Sequence, residues 1–192
     1  MPPAAPQSLE RDLHRFVKSV YGIGGAVPAH ERRLAWRYRD RMASKVEIAP
    51  IAVEEFEELL PLIAAYQRFY EVEEIDEERN HGFFRRFLSP SEDGLLLGAR
   101  EEGRLVGYAC LYWHFSSTQA VEVVLMNDLY VTESVRGQGV GRALIEATVE
   151  VARERGAPIV EWSTAPDNQT AQRLYDSTGA ERSEWFSYEL RA

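Results

Sequence analysis

Between residues 94 and 131 apolar positions run almost without a break, in three stretches separated by short polar turns. "GLLLGARE" (94–101) and "RLVGYACLYWHF" (104–115) are joined by a turn containing Gly103, which predicts a β-hairpin. "AVEVVLMNDLYV" (120–131) predicts a third strand. Strands this uniformly apolar predict a sheet covered on both faces. A short strand, "KVEIAPI", precedes them, and "PIVEWST" (158–164) predicts another after them.

Elsewhere the period lengthens to that of a helix. Phe56, Leu59, Leu60, Ile63 and Tyr70 are spaced for one helical face, with Pro61 tolerable as a kink or as an early position. "RNHGFFRRFL" predicts a second helix that buries Phe84, Phe87 and Leu88. Leu144, Ile145, Thr148, Val149 and Ala152 form the apolar stripe of a third, stopped by Gly156. A fourth follows Asp167 or Asn168 as N-cap and stops at Gly179. "AERSEWFSYEL" predicts one or two closing strands. Two further helices are expected at 8–20 and 29–43, in an N-terminal extension. The domain boundaries follow: a helical extension over 1–45 and a main domain over 46–192.

Charge sharpens that boundary. Residues 1–45 hold nine Lys and Arg against four Asp and Glu, whereas residues 46–192 hold 13 against 27. The extension is basic and the body acidic, which weighs against a nucleic-acid binder. No apolar run reaches the roughly 18 residues of a membrane span, and no signal peptide is visible at the N-terminus. With a single cysteine, Cys110, a soluble cytoplasmic protein is expected.

The most informative stretch is "YVTESVRGQGVGRAL", where Gly137, Gly139 and Gly141 alternate between Arg136 and Arg142. It joins a strand to a helix. Glycine permits positive φ, and backbone N–H groups at a helix start form an anion site. Arginine suits phosphate oxygens. A Walker loop would need a following lysine, and the chain's lysines are Lys18 and Lys45. A dinucleotide fingerprint would need G-x-G-x-x-G in an early βαβ unit, and here the spacing is G-x-G-x-G.

Arg136 to Gly141 resembles the [R/Q]-x-x-G-x-[G/A] signature of the GNAT superfamily of N-acetyltransferases. "NQTAQRLYDSTGAE" (168–181) is similar to a later block of the same family. The resemblance covers about Val46 to Leu190. It implies an α/β GNAT fold: a central, mixed, mostly antiparallel, twisted sheet of six to seven strands, splayed at the cofactor cleft, with helices on both faces. It also implies acetyl-CoA as cosubstrate, direct transfer to an amine and no metal. Leu129, Tyr130 and Val131 would line the pantetheine arm. Arg136, Gly137, Gln138, Gly139, Val140, Gly141 and Arg142 would hold the pyrophosphate, and Asn168 would contact the arm. Tyr175 would act as general acid on the leaving thiolate.

Some polyamine-acetylating members carry a Glu immediately before the Asp of the central strand; Asn127 stands there in this chain. Asn127 would then position a water or polarise the thioester carbonyl. Glu122, Asp128, Glu161 and His114 are the candidate bases, none preferred. Cys110, in an apolar strand, is expected in the core. Six carboxylates in "EVEEIDEE" (71–78) favour a cationic acceptor such as a polyamine or diamine. A protein acetyltransferase and a non-catalytic acyl-CoA-binding module are the alternatives, and a homodimer is possible.

Overall fold

The computed structural model describes residues 46–190, which divide into two compact units at Trp162/Ser163. The first holds a five-stranded sheet in the order β1-β2-β3-β4-β5. Its strands are β1 (Val46–Pro50), β2 (Gly94–Glu101), β3 (Arg104–Ser116), β4 (Val121–Val131) and β5 (Ile159–Glu161). Neighbours pair antiparallel from β1 to β4, and β4 pairs parallel with β5. The β2–β3 turn is the two-residue primed type that suits strand twist, with positive φ at Glu102 and Gly103.

Helices cover both faces, as the apolar strands require. On one side lie α1 (Phe56–Phe69) and α2 (Glu77–Phe84), packing Phe56, Leu59, Ile63 and Phe84 against Leu96, Leu105, Tyr108 and Cys110. On the other lies α3 (Val140–Arg155), whose Leu144, Ile145, Thr148, Val151 and Ala152 are buried. Thr148 returns its hydroxyl to the Leu144 carbonyl at 2.9 Å, so the polar group in that core is satisfied.

Polar contacts fix the first helical layer. Arg100 of β2 reaches Glu55 at 2.8 Å and Glu58 at 3.2 Å, tying the start of α1 to the sheet. Gln67 of α1 and the buried Asn80 of α2 exchange two amide hydrogen bonds, of 2.8 and 2.7 Å. Pro61 lies inside α1 on an exposed position, so its ring meets no core side chain. Asp76 caps α2 by accepting from the Arg79 N–H.

The second unit contains α4 (Gln169–Asp176), capped by Asn168 rather than Asp167: the Asn168 side chain accepts from the Ala171 N–H at 3.1 Å. The expected closing strands are not formed. Residues 180–190 hold no strand, and Trp185, Phe186, Tyr188 and Leu190 are exposed. Apolar residues there satisfied a pattern, but a strand also needs a neighbouring ladder for its backbone groups. The sheet of the described residues is thus five strands, not six or seven, and β5 spans three residues rather than 158–164. The helices expected at 8–20 and 29–43 lie outside the described residues. No helix among the described residues is long and apolar enough to cross a membrane.

Leu59 is fully buried in the layer between α1 and the sheet. Leu59→Ala should lower unfolding stability by about 3 kcal/mol, read as a lower urea midpoint with an unchanged slope.

Candidate active site

Strand β4 has one fully paired edge and one partly open edge. Its pairing with β3 runs from Val121 to Val131, but β5 accompanies it only from Val123 to Leu125. Beyond Leu125 no described strand adjoins the β5 side. Thr132 donates its N–H to Val106 of β3. By the alternation of an antiparallel ladder, the peptide groups of Leu129 and Val131 therefore turn away from β3, to the open edge. Val131 shows the consequence, because its carbonyl accepts the Arg136 Nε at 2.9 Å. The same guanidinium lies 3.6 Å from Glu133 and 5.9 Å from the centre of the Tyr130 ring.

At its end this edge meets the glycine stretch. A single 3-10 turn, Glu133–Val135, buries Val135, and the chain then passes through Gly137 (φ 77°) and Gly139 (φ 89°). A Cβ on either would meet nothing within 4 Å, so the backbone conformation, not crowding, calls for glycine. Gly139 is the N-cap of α3, with no side-chain cap bond and no acidic residue in the first turn. The positive end of a 16-residue helix therefore carries no compensating carboxylate. Buried Val140 anchors it while Gly137 to Gly139 remain exposed. Such a terminus is suited to phosphate oxygens.

The third element is a β-bulge. Opposite Cys110 and Leu111 of β3 stand Asp128 and Met126, so Asn127 is the extra residue. One added residue flips all that follows to the other face. Asp128 thereby shares a face with Cys110, and Tyr130 with Tyr108, on the α1 side of the sheet. In regular pairing Asp128 would have faced the apolar side of α3. The rings of Tyr66 (α1), Tyr108 and Tyr130 lie 6.1–6.2 Å apart, edge to face or tilted.

Asp128 is buried and accepts the Asn127 Nδ2 at 3.0 Å. Burial raises its carboxyl from 3.8 to about 6, and hydrogen bonds from Asn127 and Tyr66 hold it from rising further. Among the described residues no ion pair offsets its charge. Burial, reinforced by the Asp128 charge, pushes up both the Tyr108 phenol and the Cys110 thiol. Both stay protonated at neutral pH, and Cys110 is a core residue, not a nucleophile.

The acetyltransferase (GNAT) family profile matches residues 56–180, well over half of the chain. The chain belongs to the GNAT acetyltransferase family. A D-amino-acid N-acetyltransferase of Saccharomyces cerevisiae is 46% identical over 94 residues, 48% of this chain and 58% of the yeast protein. A thialysine N-epsilon-acetyltransferase of Bos taurus is 32% identical over 77 residues, 40% of this chain and 45% of that protein. The chain thus aligns with about half the length of these two relatives. The crystal structure of a probable acetyltransferase superposes with a TM-score of 0.67 at 32% identity, covering 76% of this chain and 97% of that one.

Within this GNAT chain the expected donor residues gather in one place: Leu129 and Val131 on the open edge, and Arg136 to Arg142 at the start of α3. Tyr130 stands apart, since its backbone pairs with Tyr108 of β3 and its ring joins the tyrosine set. The second unit carries Asn168 as a helix cap and Tyr175 half-buried one residue before the end of α4. Of the candidate bases, Glu122 is exposed and lies 3.4 Å from Arg155, while His114 and Glu161 are exposed. Asn127 is exposed too, leaving Asp128 as the buried member of the set. In the acidic segment Asp76 is the α2 cap, and Glu77 and Glu78 occupy its first turn; half of that charge therefore serves the helix. Tyr66 and Tyr108 were not singled out from sequence, although the alternation Tyr108, Cys110, Tyr112 marks one face of a strand.

Asp128 also has a stability signature. Its folded-state pKa exceeds the unfolded one, so ionising it costs the folded chain. Stability should decline as pH rises from about 4 through 6 and change no further above that. The full shift corresponds to about 3 kcal/mol. Asp128→Asn should therefore raise the melting temperature at pH 8 and leave it nearly unchanged at pH 4.

Proposed function

We propose that the protein transfers the acetyl group of acetyl-CoA to the primary amine of a small cationic acceptor. The observation that carries the donor half is the open β4 edge leading into the uncapped start of α3. Two amide-bearing linkages of a pantetheine arm match the outward peptide groups of Leu129 and Val131. A pyrophosphate matches the N–H groups from Gln138 to Arg142 and the helix dipole behind them. Acetyl-CoA supplies the activated acyl group, and the protein's part is to place it beside an amine.

The acceptor half rests on charge. Exposed Glu71, Glu73 and Glu74 follow the exposed rings of Phe69 and Tyr70, and Asp128 is a buried carboxylate on the sheet. Both matched relatives named above carry the name of an amino-acid amine, which agrees with a small amine rather than a protein surface. Tyr175 is assigned as the acid that protonates the departing thiolate, the role its place in the Leu174-Tyr175 pair implies. Asn168 is assigned to the pantetheine arm: its Oδ1 is engaged in capping α4.

The test is CoA release from acetyl-CoA across a panel of diamines, polyamines, lysine analogues, D-amino acids and arylamines. Cationic amines should give the highest kcat/KM; a preference for neutral arylamines, or acetyl-CoA binding without turnover of any amine, would overturn the reading. Tyr175→Phe should lower kcat about 100-fold with little change in either KM. Gly139→Ala, forcing a side chain onto a φ of 89°, should raise the KM for acetyl-CoA about tenfold, from a conformational cost of about 1–2 kcal/mol.

A further inference from the structure

A protein that binds an activated acetyl thioester exposes its own amines to it first, and in this chain the lysine amines are placed with a bias. Of 22 Lys and Arg, the lysines are Lys18 and Lys45, and both precede the first strand. Residues 46–192 hold arginine and no lysine. Arginine stays protonated and offers no lone pair, whereas a lysine amine is a nucleophile once it has lost a proton. The domain that would hold acetyl-CoA therefore offers it no lysine, and the segment in front of that domain offers both.

The two lysines differ in reach. The segment joins the sheet at Val46, the first residue of β1, which pairs with Glu101 beside the β2–β3 turn. Arg104 pairs with the same Glu101, and the β3–β4 ladder closes at Gly107 and Val131. β1 thus begins at the end of the sheet where β4 runs into the glycine stretch. Three strand spacings separate β1 from β4, about 14 Å. Lys45 precedes Val46 by one Cα step, and that step with a four-carbon stem covers about 10 Å, short of the β4 edge. From Lys18 to Val46 the chain allows about 42 Å even at the helical rise per residue. Lys18 can reach the edge of its own chain and Lys45 cannot.

A row of rings marks the approach. Tyr130 of β4 lies 6.2 Å from Tyr66 of α1, Tyr66 lies 4.9 Å from Tyr70, and Tyr70 lies 5.2 Å from Phe69. The row leads from β4 to the surface, where Phe69 and Tyr70 are 54% and 46% exposed and the exposed Glu71, Glu73 and Glu74 follow. At the helical spacing expected of 8–20, Arg11, Arg15 and Lys18 share one face, opposite the apolar one. A basic stripe ending in a lysine complements that surface in charge, and aromatic faces attract ammonium groups. We propose that Lys18 is a site of self-acetylation: residues 8–20 lay their basic face along Phe69, Tyr70 and the carboxylates after them, and the Lys18 amine takes the acetyl group from acetyl-CoA bound to the same chain. This rests on the acetyltransferase reading above. The Lys18 ammonium gives one proton to solvent, and its lone pair attacks the thioester carbonyl. The C–N bond forms, and the C–S bond breaks with its electron pair on sulfur. The second nitrogen proton goes to the thiolate, leaving CoA and a neutral amide. The stripe then carries one positive charge fewer, which weakens its attraction to the acidic surface.

The decisive experiment follows the intact mass of the full chain during incubation with acetyl-CoA, then maps the modified peptides. Lys18 should gain an acetyl group, about 42 Da. It should do so at least about tenfold faster than Lys45 in the same molecules. The rate per chain should not change with protein concentration, and excess CoA, which competes for the donor site, should slow it. Lys18→Arg should abolish the gain and keep the turnover of diamines. Equal acetylation of Lys18 and Lys45, or a rate indifferent to CoA, would identify uncatalysed chemistry and overturn the proposal. A rate proportional to protein concentration would overturn delivery within one chain. Turnover of small amines with no gain at Lys18 would overturn this inference alone. A gain at Lys18 with no small amine turned over would uphold it and overturn the choice of acceptor. Absence of both reactions would overturn the acetyltransferase reading itself.

Discussion

Strand β4 must satisfy its backbone groups on two edges, and on one of them the neighbouring strand leaves early. A peptide group that faces neither a strand nor a side chain has to find water or a ligand. β5 pairs for three residues and stops at Leu125, so β4 presents its last turns of backbone outward. Arg136 takes up one of these acceptors, at Val131. The proposed donor site rests on this one shortfall, because an extended arm carrying amides can complete the ladder as a strand would. The glycine stretch then continues the same edge with N–H donors at a helix start. On the proposed reading one continuous piece of backbone meets both arm and phosphates, and Gly137 and Gly139 serve it by a conformation rather than by a side chain.

The single residue inserted at Asn127 does the complementary work on the other side. Without it the alternation of β4 would turn Asp128 to the α3 side of the sheet. With it, the carboxylate faces tyrosines and a cysteine. The bulge lies within the open part of the edge, just past Leu125, so the stretch where the backbone becomes available is also where the carboxylate changes face. An open backbone edge and a buried carboxylate are thereby brought to adjacent residues of one strand. Short strands and bulges weaken a sheet locally, and on β4 a bulge and a three-residue partner strand come together; a second register shift lies in the β2–β3 ladder at Ala99/Arg100.

Much of this layout is legible in the order of residues. The hairpin at Gly103, the strand to Val131, the glycine stretch and the helix ended by Gly156 all have strong local signals, and all stand where those signals put them. The α3 stripe is nearly right as well, with Val151 rather than Val149 fully buried. What escaped has a physical reason in each case. A bulge leaves no trace in an apolar run, because both faces of β4 are covered and alternation is lost. Asn127 and Asp128 therefore could not be told apart by side. The length of β5 depends on how far two strands diverge, which "PIVEWST" does not encode. Trp185, Phe186 and Tyr188 have the composition of a strand but no ladder to join.

An uncompensated carboxylate in the middle of a core layer is a local inconsistency in an otherwise consistent fold. Several other polar groups of the two helical layers are matched: Thr148 bonds its own helix, Gln67 and Asn80 bond each other, and Arg100 meets two glutamates. Asparagine at position 128 would fill the same volume and accept the same hydrogen bond from Asn127 without the cost of charge. A group whose charge is kept at such a cost, where a near-isostere would relieve it, is a functional-site candidate. The orphaned Tyr108 hydroxyl beside it is hard to account for as packing, since phenylalanine would fill that space without an unmet donor. Together they mark a polar spot on the α1 face of an otherwise apolar sheet.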